Sequence, residues 1–355
     1  MPDRHLPRKG RIAVPALTDI ESKIFSAKDF RLENGQTLPV LELAYETYGS
    51  LNAKADNAVL VVHGYTSSHH AAGKNAPGKE GRGVVAGGAG WFDGLIGPGK
   101  AVDTDRYFVV SVNALGSAHG SSGPNTIDPK TKKPYGPTFP HISLRDMVAS
   151  QKLLVDSLGL KSLVAVVGPS MGGFQSFQWA ASYPGFMKGI AASVTAPRAP
   201  NRLGGIEALQ KRLAGDPNWN DGWYYDNGGI AGTLEQIRYD TLLNYGQDSE
   251  TAKVAAKSWA KIYDGHSLVT LRRAIDGFDI TGDYAKLKNT RVLYVNSKTD
   301  KLFDLALCLE HVVGMRKAGI DVTFVELPSD KGHMASHQDA AMWAPILAAY
   351  MKSLG

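Results

Sequence analysis

An α/β architecture, a mostly parallel sheet with helices on both faces, is what three features of this 355-residue sequence predict. Short unbroken apolar runs recur along the chain, and they alternate with amphipathic stretches of helical period. One run leads through Gly-Pro-Ser-Met-Gly-Gly straight into a helix-like stretch. Apolar runs without alternation mark strands covered on both faces, which is the situation of parallel strands.

The elements follow in order. Leu38 to Gly49 mixes β-branched, aromatic and alternating polar residues, which suits an early antiparallel strand. Asn57 to Gly64 and Arg106 to Gly116 are short apolar runs that read as core strands. From Ser143 a helix is expected: Ser143 caps it, Asp146 follows three residues on, and Gly159 closes it. Val164 to Pro184 supplies a strand, the serine turn and a second helix. Thr290 to Asp300 and Asp321 to His333 read as two later core strands, with Asp304 to Gly319 as the helix between them. From about Arg198 to Asp283 the rhythm breaks. That segment carries Trp219, Trp223, Tyr224, Tyr225, Tyr239 and Tyr245 among helix-like patterns. We read residues 1–197 and 284–355 as the core and residues 198–283 as an inserted helical lid, whose aromatic load favours a pocket wall. The plainer reading is a set of peripheral helices.

Composition narrows the function classes. The formal net charge is +5, yet the basic residues are scattered apart from Arg4 to Arg11, and no nucleic-acid-binding motif accompanies them. A basic active-site mouth for anionic substrates such as a CoA ester fits the same charge. Cys308 is the only cysteine, which excludes an intramolecular disulfide, and its leucine neighbours suggest a core thiol. No apolar run approaches a membrane span, and the amino terminus lacks a signal-type stretch, so a cytoplasmic protein is expected with neither nucleic acid nor membrane as partner.

Gly168-Pro169-Ser170-Met171-Gly172 fits the G-x-S-x-G nucleophile elbow of the α/β-hydrolase fold. A nucleophile held at a strained strand-to-helix turn projects its hydroxyl into the cleft, while the following amides face the developing oxyanion. Such a serine needs a base, and the base needs an orienting carboxylate, in the chain order serine, acid, histidine. Asp300 ends one late strand and His333 follows the next. The rivals are weaker. Asp304 reads as a helix cap, Asp330 shares the histidine's loop, His337 reads as a surface residue a turn later, His266 falls in the lid and His311 within a helix. For the oxyanion, the backbone N–H groups of Tyr65 and Met171 are the expected pair. His63, His69 and His70 cluster in one loop without an acidic or thiol companion, so a metal site is not expected.

Several long stretches, among them YETYGSLNAKADNAVLVVHGYT, GWFDGLIGPGKAVDTDRYFVV, GPSMGGFQSFQWAASYP and DPNWNDGWYY, resemble the homoserine O-acetyltransferase family from about Leu43 onward. The resemblance implies nucleophile, acid and base roles for Ser170, Asp300 and His333. It also implies acetyl transfer from acetyl-CoA, as cosubstrate, through an acyl-serine to a hydroxyl acceptor, with a homodimer formed through the lid and no resident cofactor. It implies substrate contacts from the lid pair Tyr224 and Tyr225. Two departures stand out. The family places an acidic residue after the histidine to hold the substrate's amino group, where this chain has Met334. It also places a carboxylate-binding arginine at a position that spacing assigns to Gln210, with Lys211 and Arg212 beside it. An apolar thioether cannot pair with an ammonium group, so homoserine is not the expected acceptor. The expectation is a small-molecule ester or related acyl substrate, hydrolysed through an acyl-serine. The alternatives are an acetyltransferase with another acceptor and, more remotely, a non-catalytic binding protein.

Overall fold

The computed structural model describes residues 17–81, 84, 87–200 and 205–355, so the basic run Arg4 to Arg11 lies outside the described residues. The strands are β1 (Lys23–Arg31), β2 (Thr37–Tyr48), β3 (Ala58–Val62), β4 (Ile96–Gly97), β5 (Val102–Asp103), β6 (Phe108–Val112), β7 (Leu163–Pro169), β8 (Met187–Ser193), β9 (Arg291–Ser297) and β10 (Val322–Leu327). Eight of them form one sheet in the order β1-β2-β6-β3-β7-β8-β9-β10, while β4 and β5 pair separately. β2 runs antiparallel to both β1 and β6; the remaining ladders are parallel.

Two strands of the eight-stranded sheet, and the short pair β4 and β5, are not evident from sequence. β1 is an exposed edge strand whose polar residues hide its pairing. β8, MKGIAAS, is poor in β-branched and aromatic residues, yet it is buried between β7 and β9. Its Gly189 is required: a Cβ there would lie 2.2 Å from the Tyr350 hydroxyl, which donates to the Ile190 carbonyl.

The period-two alternation of the strands divides the core between the two faces of the sheet. Leu60, Val62 and Val166 point into an apolar cluster shared with α1 (Leu144–Ser157), α2 (Met171–Ser182) and α7 (Leu305–Lys317). Val59, Val61, Ala165 and Val167 point the other way, toward Phe92, Leu95 and the last helix. α1 begins in a capping box in which Ser143 and Asp146 each bond the other's backbone amide.

Between β8 and β9 the chain forms α3 (Gly205–Ala214), α4 (Ala231–Asn244), α5 (Ser249–Ala260) and α6 (Gly265–Asp276). They bury a cluster of their own around Leu213, Tyr224, Ile230, Leu234 and Leu268. Bonds to the Tyr65–Thr66 loop tie them down over the carboxyl ends of the strands; among them Tyr65 donates to the Leu268 carbonyl at 2.7 Å, and Trp259 donates to the Thr66 carbonyl at 3.2 Å. After β10 come α8 (Ala335–Gln338) and α9 (Ala340–Ser353). No helix among the described residues is long and apolar enough to cross a membrane.

Candidate active site

Ser170 stands between β7 and α2 with φ 55° and ψ −120°, a conformation rarely adopted by a residue with a side chain. The turn is tight enough to demand the flanking glycines. A Cβ on Gly168 would lie 2.6 Å from the Gly172 backbone, and one on Gly172 would lie 2.1 Å from the Val62 carbonyl oxygen. The neighbouring strand β8 holds the bend in place: the Ser170 amide donates to the Ser193 carbonyl, and Thr195 Oγ1 donates to the Ser170 carbonyl.

The structure brings His333 and Asp300 to this serine. His333 Nε2 lies 2.9 Å from Ser170 Oγ, and its Nδ1 lies 2.8 Å from Asp300 Oδ2. A carboxylate can only accept, so Nδ1 carries the hydrogen and Nε2 is left to accept from the hydroxyl. Asp300 is fixed by its other oxygen, which accepts from the Leu302 amide at 2.8 Å. The imidazole is packed between Tyr245 and Phe303, with ring centroids 4.7 and 5.7 Å away. Gly332, at φ +54°, permits the sharp turn before it, and its amide donates to Thr299 Oγ1.

The rivals of Asp300 and His333 are occupied elsewhere. Asp304 caps α7, Asp330 is exposed beside Lys331, His266 bonds the Gly222 carbonyl, and His311 contacts the Tyr284 hydroxyl.

Met171 is the first residue of α2, so its amide lies ahead of any intrahelical acceptor. Gly64 approaches Ser170 closely; a Cβ placed on it would lie 3.7 Å from that of the serine. The amide of Tyr65 follows it on the same rim, and the Tyr65 carbonyl is held by the Tyr263 hydroxyl. The three loop histidines bond to the chain around them. His63 Nδ1 pairs with the Gly64 carbonyl, while its Nε2 accepts from the Ala114 amide. His69 meets Ser22 Oγ at 2.7 Å, and His70 pairs with buried Glu46 at 3.0 Å. Among the described residues no group of three such side chains converges on a metal position.

Ser170 opens onto a cavity of about 210 Å³ that includes His333, Met334, His337, Arg238 and Trp91 in its wall. A second cavity of about 340 Å³ shares Tyr65, Thr66, Arg238 and Tyr245 with it and extends under α4 and α6. A third, of about 60 Å³, lies on the other side of Ser170 against Phe174, Leu302 and Phe303.

Three sequence expectations require correction here. Gln210, Lys211 and Arg212 lie on the exposed face of α3, away from these cavities, and Arg212 pairs with Asp240. Two guanidinium groups line the cavities at Ser170: Arg238 of α4, which donates to Thr66 Oγ1 at 2.7 Å and lies 5.4 Å from the Trp259 ring, and Arg272 of α6, which pairs with Asp276 at 2.8 Å. Tyr224 and Tyr225 do not line the cavities that hold Ser170. Both phenols donate to Asp264, the residue that caps α6. Burial, reinforced by that carboxylate, pushes both phenols up, so they remain donors. His337 lies in the cavity wall rather than at the surface.

A family model described as alpha/beta hydrolase fold matches residues 57–340. A homoserine O-acetyltransferase of Solidesulfovibrio magneticus is 33% identical, covering 94% of this chain and 92% of its own. One of Methanobrevibacter ruminantium is 36% identical, covering 89% of this chain and 70% of its own. Among solved structures, esterase E22 is similar with a TM-score of 0.84 and 28% identity, covering 94% of this chain and all of that one. The homoserine O-acetyltransferase from Bacillus anthracis is similar with a TM-score of 0.84 and 26% identity, covering 94% of this chain and 98% of that one.

Proposed function

Because the chain belongs to the homoserine O-acetyltransferase family of α/β hydrolases, we propose that it is a serine-dependent ester hydrolase working through an acyl-Ser170 intermediate. Ser170 Oγ attacks the ester carbonyl carbon as its proton passes to His333 Nε2, and the oxyanion is held by the amides of Tyr65 and Met171. The bond to the alcohol oxygen then breaks and His333 returns the proton to the departing alcohol. Water repeats the sequence: it forms the new carbon–oxygen bond as its proton passes to His333, and the Ser170 ester bond breaks as His333 returns that proton to Ser170 Oγ, releasing the acid. Asp300 keeps the imidazole in the required tautomer and stabilises its protonated form. In this reading the helices of residues 198–283 act as a lid over the site.

The observation that carries hydrolysis over transfer to homoserine is Met334. It lines the cavity beside Ser170, and among the described residues no carboxylate side chain lines that cavity; Asp276 lines the smaller one on the other side of the serine. An amino-acid acceptor there would leave its ammonium group against a thioether and near the Arg238 cation. The loss of one charge-assisted bond costs about 1.5 to 3 kcal/mol.

The second reading is O-acetyl transfer from acetyl-CoA to another hydroxyl acceptor. Arg238 in the cavity wall and the similarity to homoserine O-acetyltransferases favour it. One pair of assays separates the two: p-nitrophenyl acetate turnover with and without added alcohols, and CoA release from acetyl-CoA. Hydrolysis predicts steady turnover in water alone. CoA release that depends strictly on an alcohol acceptor contradicts it.

A further inference from the structure

We infer that His337 is a specificity-determining residue whose imidazole binds a hydroxyl of the substrate's alcohol portion, so that the preferred substrates are esters of hydroxylated alcohols. The inference rests on the proposed role of Ser170 and deepens it.

His337 lies on α8, one turn beyond His333, and shares the 210 Å³ cavity with Ser170, His333 and Met334. Among the described residues neither of its ring nitrogens has a hydrogen-bond partner, whereas both nitrogens of His63, His70 and His333 are paired. His337 is half-buried, so its nitrogens open onto the cavity and are free to pair with a ligand that enters it. The adjacent Ser336 repeats the pattern: it is 1% exposed, belongs to the same wall, and its Oγ has no partner either.

The chemistry of the wall selects the ligand. Burial, with His333 and the Arg238 cation nearby, pushes the His337 imidazole down to about 4, so it is neutral at ordinary pH. A neutral imidazole offers one donor and one acceptor, which matches a hydroxyl group. Arg238 in the same cavity disfavours an ammonium ligand. Met334 and Trp91 provide apolar surface for the carbon chain of a small polyol. The cavity holds the liquid volume of about seven waters, which leaves room for a three-carbon alcohol.

Glycerol 1-monoacetate and propyl acetate test this, since they share a carbon skeleton and differ by two hydroxyls. The protein should favour glycerol 1-monoacetate in kcat/KM. His337→Leu should lower that preference about 3- to 10-fold, the value of one neutral hydrogen bond, and His337→Gln, which keeps a donor and an acceptor, should retain most of it. No preference in the unaltered protein, or an equal loss for both esters in His337→Leu, overturns the inference. If His337→Leu does not fold, product inhibition of the unaltered protein replaces it: glycerol should inhibit more strongly than 1-propanol, and equal inhibition overturns the inference. Failure of the underlying reading looks different, for Ser170→Ala would then hydrolyse both esters at undiminished rates.

Discussion

His333 Nε2 stands 2.9 Å from Ser170 Oγ although 163 residues separate the two in the chain. The sheet order explains the meeting. β7 delivers the serine at its carboxyl end, and the loop after β10 returns to the same edge with the histidine. Asp300, at the end of the intervening β9, completes the line.

That line predicts the effect of Asp300→Asn. An amide can donate to Nδ1, which favours the tautomer that leaves Nε2 unable to accept the serine proton. Turnover of p-nitrophenyl acetate should fall by about three to four orders of magnitude, while the near-ultraviolet circular dichroism stays unchanged. A loss of less than tenfold would remove Asp300 from the mechanism.

Met334→Asp should place a carboxylate in the cavity wall opposite an incoming amino group. CoA release from acetyl-CoA with homoserine as acceptor should then rise about ten- to a hundredfold in kcat/KM, the value of one charge-assisted bond. A folded variant with no gain would show that the lid walls, rather than residue 334, exclude the amino acid.

Acid stability should reflect His63. Its Nε2 accepts the Ala114 amide, so protonation there would set two donors against each other, and burial accordingly pushes the imidazole down to about 4. The neutral ring therefore contributes stability that is fully present above the unfolded value near 6.5 and is lost as pH falls through about 4. The contribution amounts to up to about 3 kcal/mol. Urea unfolding between pH 7 and pH 4.5 should show this decline, and His63→Gln should make it shallower. An identical slope in the variant would exclude His63 as the source.

Cys308 is 1% exposed, and burial pushes its thiol up to about 11. Asn296 Nδ2 and the floor of β9 enclose the sulfur. Ellman's reagent should leave it unmodified in the folded protein and react once urea unfolds the chain. Rapid reaction under native conditions would contradict its burial.

How much of this was legible in the sequence differs from element to element. β3, β6, β7 and β9 announce themselves as unbroken apolar runs because both of their faces are covered. β8 does not, since small residues suffice where neighbours press from each side. Ser170 is legible because its bend imposes glycines at positions 168 and 172 that nothing else would require. Arg238 and His337 are not. Whether a helical side chain faces a cavity or water depends on how the helix is docked, and polar residues at those positions read as solvent-facing. Gln210 shows the reverse error, for a position chosen by spacing from a motif turned out to lie on the outer face of its helix. The hydroxyls of Tyr224 and Tyr225 were drawn off the site by Asp264, a long-range pairing that no local pattern reveals.

The most direct test is to quench a reaction with p-nitrophenyl acetate in acid within milliseconds and map the protein by peptide mass spectrometry. The mechanism predicts an acetyl adduct on the peptide containing Ser170, absent from Ser170→Ala, with turnover of that variant lowered by several orders of magnitude. Unimpaired turnover in Ser170→Ala, or an acetyl group found only on another residue, would contradict it.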